Sequence, residues 1–148
     1  MAALWPQVQS QLVALLPTLP ALAGVPVYDG PPLADEAPKD FVVVGAGNGT
    51  DVGGGYVQSP GPVDGMTEET GVVLCEFVSW SGDEVLSAVR SRVFGFVNAL
   101  EASLLADQTL GLFAQGATTT LSAEVLPQQN TSGAEQRLVV SVHYFARH

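Results

Sequence analysis

The chain has 148 residues, 47% of them hydrophobic, so it is long enough to form one domain whose core needs neither disulfides nor a metal. Fifteen acidic residues against five basic ones give a formal net charge of -10, which opposes tight binding to nucleic-acid phosphates. The only cysteine, Cys75, lies in an apolar run, so we expect a buried thiol and no internal disulfide.

The N-terminal segment predicts a short amphipathic helix. Pro6 suits a first helical turn, and apolar residues recur at helical spacing from Leu4 to Leu16 until Pro17 ends the pattern. No Lys or Arg precedes Lys39, and prolines interrupt the apolar residues. We therefore expect neither a signal peptide nor a membrane span, and a soluble protein made in the cytoplasm.

Two short strands and a Gly-rich stretch follow. Residues 25–28 and the continuous apolar run 41–44 predict strands, the second of them buried. Residues 45–65 consist mainly of Gly, Pro, Asp and Ser, which predicts a long flexible loop. A nucleotide site is not expected there, because the loop has no P-loop lysine and more glycines stand where a helix would have to begin.

The segment from Thr67 to Trp80 predicts a strand that is apolar on both faces, with Glu76 as the exception. Ser81 and Glu84 then have the spacing of a capping box, which predicts that a helix begins there.

That helix should run for about 24 residues, because apolar side chains recur at helical spacing from Val85 to Leu104. Phe94 and Leu105 lie off this apolar stripe. They either extend the core or face a neighbouring subunit.

Two alternating segments, 118–125 and 138–144, flank the turn residues 130–133 and predict a closing hairpin. The order of elements predicts a single α+β domain over residues 1–148. Its sheet should be mixed and mainly antiparallel, with two α-helices packed mainly on one face and a long Gly-rich loop.

The sequence predicts no catalytic, cofactor-binding or metal-binding site, and hence no enzyme. His143 and His148 have no ligand-type residues at metal-site spacing around them. Ser81 is better explained as a helix cap than as a nucleophile. Glu68 and Glu69 stand at a strand start, where adjacent acids are usually solvated.

Several segments resemble one family of proteins. They are VYDGPP (27–32), DFVVVG (40–45), SGD (81–83), AVRSRVF (88–94) and RLVVSV (137–142). These segments are similar to small tail proteins of phages that infect actinobacteria, and specifically to phage tail terminators. The resemblance extends from about residue 25 to residue 147.

The resemblance implies an α+β subunit of the virion tail that is assembled in the host cytoplasm. Six copies would form a ring at the head-proximal end of the tail tube. The ring would stop polymerisation of the major tail tube protein and present a surface to the head–tail connector, while DNA passes through its lumen without specific binding. The candidate interface residues for self-association or tube binding are Tyr56, Trp80, Arg90, Arg92 and Phe94.

The arginines leave two interpretations open, because each can pair with acids of its own chain or of a neighbouring subunit. Two other functions also stay open at this point. One is another ring-forming neck or head-completion connector, and the other is a small-ligand-binding domain that uses the Gly-rich stretch.

Overall fold

The computed structural model describes residues 3–31, 39–46, 53–82, 85–111, 118–130 and 133–148. In this part the chain forms two α-helices and six strands, which confirms the predicted α+β class. The helices are α1 (Trp5–Leu15) and α2 (Leu86–Ala106). The strands are β1 (Val27–Asp29), β2 (Asp40–Val44), β3 (Gly54–Pro60), β4 (Thr67–Ser81), β5 (Thr118–Asn130) and β6 (Gly133–Arg147).

The strands form one mixed sheet in the order β1-β2-β4-β6-β5, with β3 also paired to β4. β1 and β2 are parallel, and every other described pair is antiparallel, as predicted. β4 is central: β6 follows one side of it along nearly its whole length. On the other side, β3 pairs with the N-terminal half of β4 and β2 with the C-terminal half.

The predicted loop over residues 45–65 is corrected in part, because β3 lies within it. β4 changes partner at Leu74, whose N–H donates to the Gly53 carbonyl and whose carbonyl accepts from the Gly45 N–H, both at 2.8 Å. A Cβ on Gly53 would lie 2.4 Å from the Gly45 carbonyl oxygen. Glycine at these positions therefore lets the chain leave the sheet after β2 and rejoin it at β3 next to the same residue, Leu74. A Gly-rich composition fits this close approach of two backbones as well as it fits a flexible loop, so composition alone could not distinguish them. Residues 47–52 lie outside the described part.

The helices and the core lie on one face of the sheet, called here the helix-covered face. Alternate residues of the strands point to it and are buried against both helices, as their periodicity predicted. They include Val42, Val44, Val73, Cys75, Phe77, Leu138, Val140, Val142 and Tyr144, packed with Val8, Leu12, Val93, Phe96 and Leu100. The other side of the sheet is called the opposite face.

The predicted capping box is wrong. Ser81 is the last residue of β4, pairs with Ala134 of β6 and is buried. α2 instead begins at Leu86, with Val85 in the N-cap position. β6 is long enough to pair with β4 as far as Ser81. Ser81 is therefore part of β4, although the local sequence predicted it as the cap of the helix. Glu84 lies outside the described residues.

We expect Gly71→Ala to destabilise the protein. Gly71 lies opposite Tyr144, and an added Cβ would be 2.5 Å from that ring. The ring would have to move, which costs roughly 1–3 kcal/mol of unfolding free energy. Urea denaturation measures the change.

Gly95→Ala is the matched control. Gly95 is exposed within α2, and an added Cβ there meets no described atom within 4 Å. Alanine should raise stability by up to about 1 kcal/mol, because it is the better helix former. If Gly71→Ala and Gly95→Ala changed the unfolding free energy equally, the position of the Tyr144 ring against Gly71 would be contradicted.

Candidate functional site

A buried carboxylate, that of Glu69, is the most unusual polar group of the described structure. Its side chain is 0% exposed. One oxygen accepts from the Tyr144 hydroxyl at 2.6 Å and the other from Gln58 Nε2 at 2.7 Å. The Leu4 N–H lies 3.0 and 3.1 Å from the two oxygens, and His148 Nε2 lies 3.7 Å from Oε2. These five residues are called the Glu69 cluster.

The electrostatics of the Glu69 cluster favour the charged carboxylate. Burial by itself raises the pKa of Glu69, but the hydrogen bonds from Tyr144, Leu4 and Gln58, with the nearby His148, outweigh it and hold the pKa below its ordinary value. Burial and the hydrogen bond to Glu69 raise the pKa of Tyr144. The cluster is therefore an anion held by three hydrogen-bond donors, and it ties the start of α1 to β3, β4 and β6.

The expectation that Glu68 and Glu69 are both solvated is wrong for Glu69. Glu68 forms an ion pair with Arg147 at 2.9 Å on the opposite face, whereas Glu69 points to the helix-covered face. The alternation of β4 contains the missing signal, because Glu69 has the same parity as Val73 and Cys75, both predicted to share one face. Its hydrogen-bond donors are distant in sequence, so their presence could not be predicted.

A second polar network lies on the opposite face. Arg137 forms ion pairs with Glu76, which is nearly buried, and with Glu135 at 3.0 Å. Burial lowers the pKa of Arg137, but the adjacent Glu76 and Glu135 carboxylates more than offset this and raise it. Glu76, the exception in an apolar strand, is thus neutralised by a cross-strand partner.

The five candidate interface residues do not form one site. Tyr56 is 49% exposed on β3, and Trp80 is partly exposed near the end of β4, roughly 30 Å farther along the sheet. Arg90 is exposed on α2. Phe94 is partly buried and packs against the core, which is the first of its two predicted roles.

Arg92 is engaged within its own chain. Its Nε donates to Ser79 Oγ at 2.9 Å and lies 3.4 Å from Asp40 Oδ1, and Ser79 Oγ donates to the same carboxylate at 2.6 Å. Arg92 therefore fastens α2 to β2 and β4. Arg137 and Arg147 likewise pair with acids of their own chain, so the intrachain interpretation holds for these three arginines.

Exposed apolar side chains lie at both lateral edges of the sheet. At one edge, β3 carries Tyr56 and Val57; at the other, Leu105 of α2 is 67% exposed beside β5, which carries exposed Val125. A groove of about 460 Å³ separates α2 from β5 there. It is lined by Glu101, Leu104, Leu105, Gln108 and residues 119–121, and is called the α2–β5 groove.

The thiol of Cys75 and the imidazole of His143 are both in contact with other parts of the fold. Cys75 is fully buried, as predicted, and burial raises the pKa of its thiol to about 12. His143 Nε2 lies 3.1 Å from Ser122 Oγ across the β5–β6 pair. In the described ranges no three His, Cys, Asp or Glu side chains are grouped as metal ligands. No helix there is long and apolar enough to cross a membrane.

Comparison of the chain with protein-family models finds no match, and comparison with curated proteins finds no significant similarity.

We expect Glu69→Gln to destabilise the protein at pH 7 by roughly 2–4 kcal/mol, because it removes a charge that three hydrogen-bond donors stabilise. Tyr144→Phe should cost roughly 1.5–3 kcal/mol, the usual range for one hydrogen bond to a charged group. Glu101→Gln, at an exposed position of α2, is the control and should change little.

The effect of Glu69 should also depend on pH. Because the folded pKa of Glu69 lies below the ordinary value of 4.5, its stabilisation is complete above pH 4.5 and is lost as the pH falls through the folded pKa. The difference in unfolding free energy between wild type and Glu69→Gln should therefore be constant above pH 4.5 and shrink below it. A difference that grows on acidification would refute the assignment.

Arg137→Ala should cost roughly 2 kcal/mol, because Glu76 is left nearly buried without its cation. The same substitution in a Glu76→Gln background should cost less, since no charge is then left unpaired. Thermal or urea unfolding of the four proteins in this cycle gives the coupling energy. Additive effects would show that the two side chains act independently.

Proposed function

We propose that this chain is a structural, non-catalytic subunit of a phage tail: a tail terminator. Six copies form a ring at the head-proximal end of the tail tube. The ring blocks addition of further tube protein and offers a surface to the head–tail connector.

The observation that carries this proposal is the position of four of the seven large apolar side chains that are exposed in the described structure, those of Tyr56, Val57, Leu105 and Val125. These four lie at the two opposite lateral edges of one sheet, on a chain whose net charge is -10. A subunit that joins neighbours on both sides needs two different surfaces, one at each side, and repeated use of such a pair generates a ring or a filament.

The resembling segments support the same assignment. VYDGP and DFVVVG form β1 and β2 with the turns after them, AVRSRVF lies within α2, and RLVVSV lies within β6. These elements form the framework of the domain. The likeness therefore concerns the architecture of the subunit, as expected for a protein that acts by shape.

The charges suit a conduit for DNA. Arg92, Arg137 and Arg147 are already paired with carboxylates of their own chain. Phosphates would gain little from these arginines and would be repelled by the excess of acids, so DNA could pass such a ring without binding to it.

Two glycines of the predicted loop have a structural role that needs no bound phosphate. Gly45 and Gly53 permit the change of partner at Leu74.

Electron microscopy of the purified chain, mixed with tail tubes assembled without a terminator, tests the proposal. We expect a ring at one tube end, a native mass of six subunits on that end, and no further elongation when tube protein is added. An unrelated acidic protein at equal concentration should leave tube growth unchanged.

Two outcomes would overturn the proposal. Rings that bind filled heads and never bind tubes would indicate a neck connector instead. Tails of normal length in cells that lack the protein would exclude a terminator of any geometry.

A further inference from the structure

We propose that Tyr56 of one copy inserts into the α2–β5 groove of the next copy, and that this contact closes the ring. The inference rests on the ring proposed above and assigns its subunit interface to two specific surfaces.

The two surfaces are at opposite ends of the sheet. In the described structure, β3 pairs only with β4 and β5 only with β6, so each has a lateral edge without a strand partner. The Tyr56 side chain, called here the knob, lies at one edge and the α2–β5 groove at the other, so the two surfaces form a heterologous pair. Such a pair leaves one unused knob and one unused groove after each contact, so association continues until the ring closes.

Tyr56 and the groove are on the same face and at the same level. The strand registers place Tyr56 opposite Gly71, Gly71 opposite Tyr144, and Tyr144 opposite Thr119. These four residues form one row across the sheet. Tyr144 and Thr119 are buried on the helix-covered face, and residues paired across a sheet point to the same side. A neighbour related by rotation about an axis along the strands would therefore bring Tyr56 next to the groove at Thr119.

The groove suits a phenol side chain. Its volume of about 460 Å³ is within the range of cavities that hold small organic molecules. Leu104, Leu105 and Leu121 provide apolar contacts, while the Glu101 carboxylate at the rim can accept a hydrogen bond from the tyrosine hydroxyl. Tyrosine is among the residues that most often dominate protein interfaces, because it combines a large apolar area with one polar group.

The charges allow two copies to approach at these surfaces. The chain has ten more acids than bases, so most pairs of surfaces on two copies would repel each other. β3 contains no charged residue, and Glu101 is the only charged residue among the described groove residues. Edge strands that avoid other chains usually carry charges, so an uncharged edge on a strongly acidic protein favours a contact there.

Two single variants test the contact. Tyr56→Asp removes the knob, and Leu105→Asp places a charge in the groove wall. Each should raise the dissociation constant for self-association by about 30-fold or more, as expected for a central interface residue. Val85→Asp is the matched control, because Val85 is 61% exposed but lies at neither surface. Circular dichroism establishes that each variant is folded.

Mixing the two variants is the sharper experiment. Tyr56→Asp chains keep an intact groove, and Leu105→Asp chains keep an intact Tyr56. Native mass spectrometry should show each variant alone as a monomer and the mixture as a pair of unlike chains that grows no further. If the free wild type is monomeric, the same proteins are analysed on tail tubes, where the ring should form only with wild type and the Val85→Asp control.

A disulfide gives a second measurement. Because Cys75 is buried, cysteines can be placed at the two surfaces without competition. Both cysteine substitutions weaken the contact, but a disulfide traps even a weakly populated complex. Oxidation of a mixture of Tyr56→Cys and Leu105→Cys chains at high protein concentration should therefore produce crosslinked dimers, whereas Tyr56→Cys with Val85→Cys should not.

Four results would overturn the inference: unchanged association of both variants, dimers of one variant alone, absence of the specific crosslink, and a wild type that is monomeric both free and on tubes. The two proposals can be separated. Rings that use this contact but ignore tube ends would reject the terminator function only. Tube-end rings unaffected by both aspartate substitutions would reject only this interface.

Discussion

The structure depends on a buried carboxylate whose hydrogen bonds to water are replaced by hydrogen bonds from three distant segments of its own chain. Removing a charged carboxylate from water costs several kcal/mol unless other donors replace the lost hydrogen bonds. Glu69 recovers them from Leu4, Gln58 and Tyr144, which are 65, 11 and 75 residues away in sequence. No partly folded form offers all of these donors, so α1, β3, β4 and β6 are favoured only together.

The long periodic elements could be predicted from the sequence, because they are determined by local pattern. β4 begins at the predicted Thr67, α2 buries its predicted stripe from Val89 to Leu104, and β6 follows its alternation, whereas Ala123 and Val125 of β5 are exposed. Features set by pairing over long distances could not be predicted. β3 has little alternation of its own and forms because β2 pairs with only half of that edge of β4, so the other half is free to pair with β3. Likewise, Ser81 belongs to β4 because it pairs with Ala134 of β6.

The candidate interface residues also fall into those whose position the sequence could predict and those whose position depends on long-range contacts. Tyr56 was predicted as an interface residue and is exposed at an edge of the sheet, whereas Arg92, predicted alike, binds Asp40 and Ser79 of its own chain. A sequence shows that a cation is rare on an acidic protein. It does not show which acid the fold brings within reach of that cation, and here Asp40, an acid that pairs with the α2 residue Arg92, is 52 positions away on β2.

One row of the sheet contributes to the stability of the fold and also contains the two surfaces of the proposed subunit contact. The row from Tyr56 through Gly71 and Tyr144 to Thr119 has an exposed tyrosine at one end and the α2–β5 groove at the other, with the Glu69 cluster between them. The two ends are three strand spacings apart, about 14 Å. A ring closes only if every subunit repeats the same rotation, so this separation must not vary from copy to copy. The Tyr144 ring, which lies over Gly71 and is hydrogen-bonded to a buried anion, holds the middle of the row in place. In the proposed ring, the polar cluster that stabilises the fold would therefore also set the geometry of the contact between subunits.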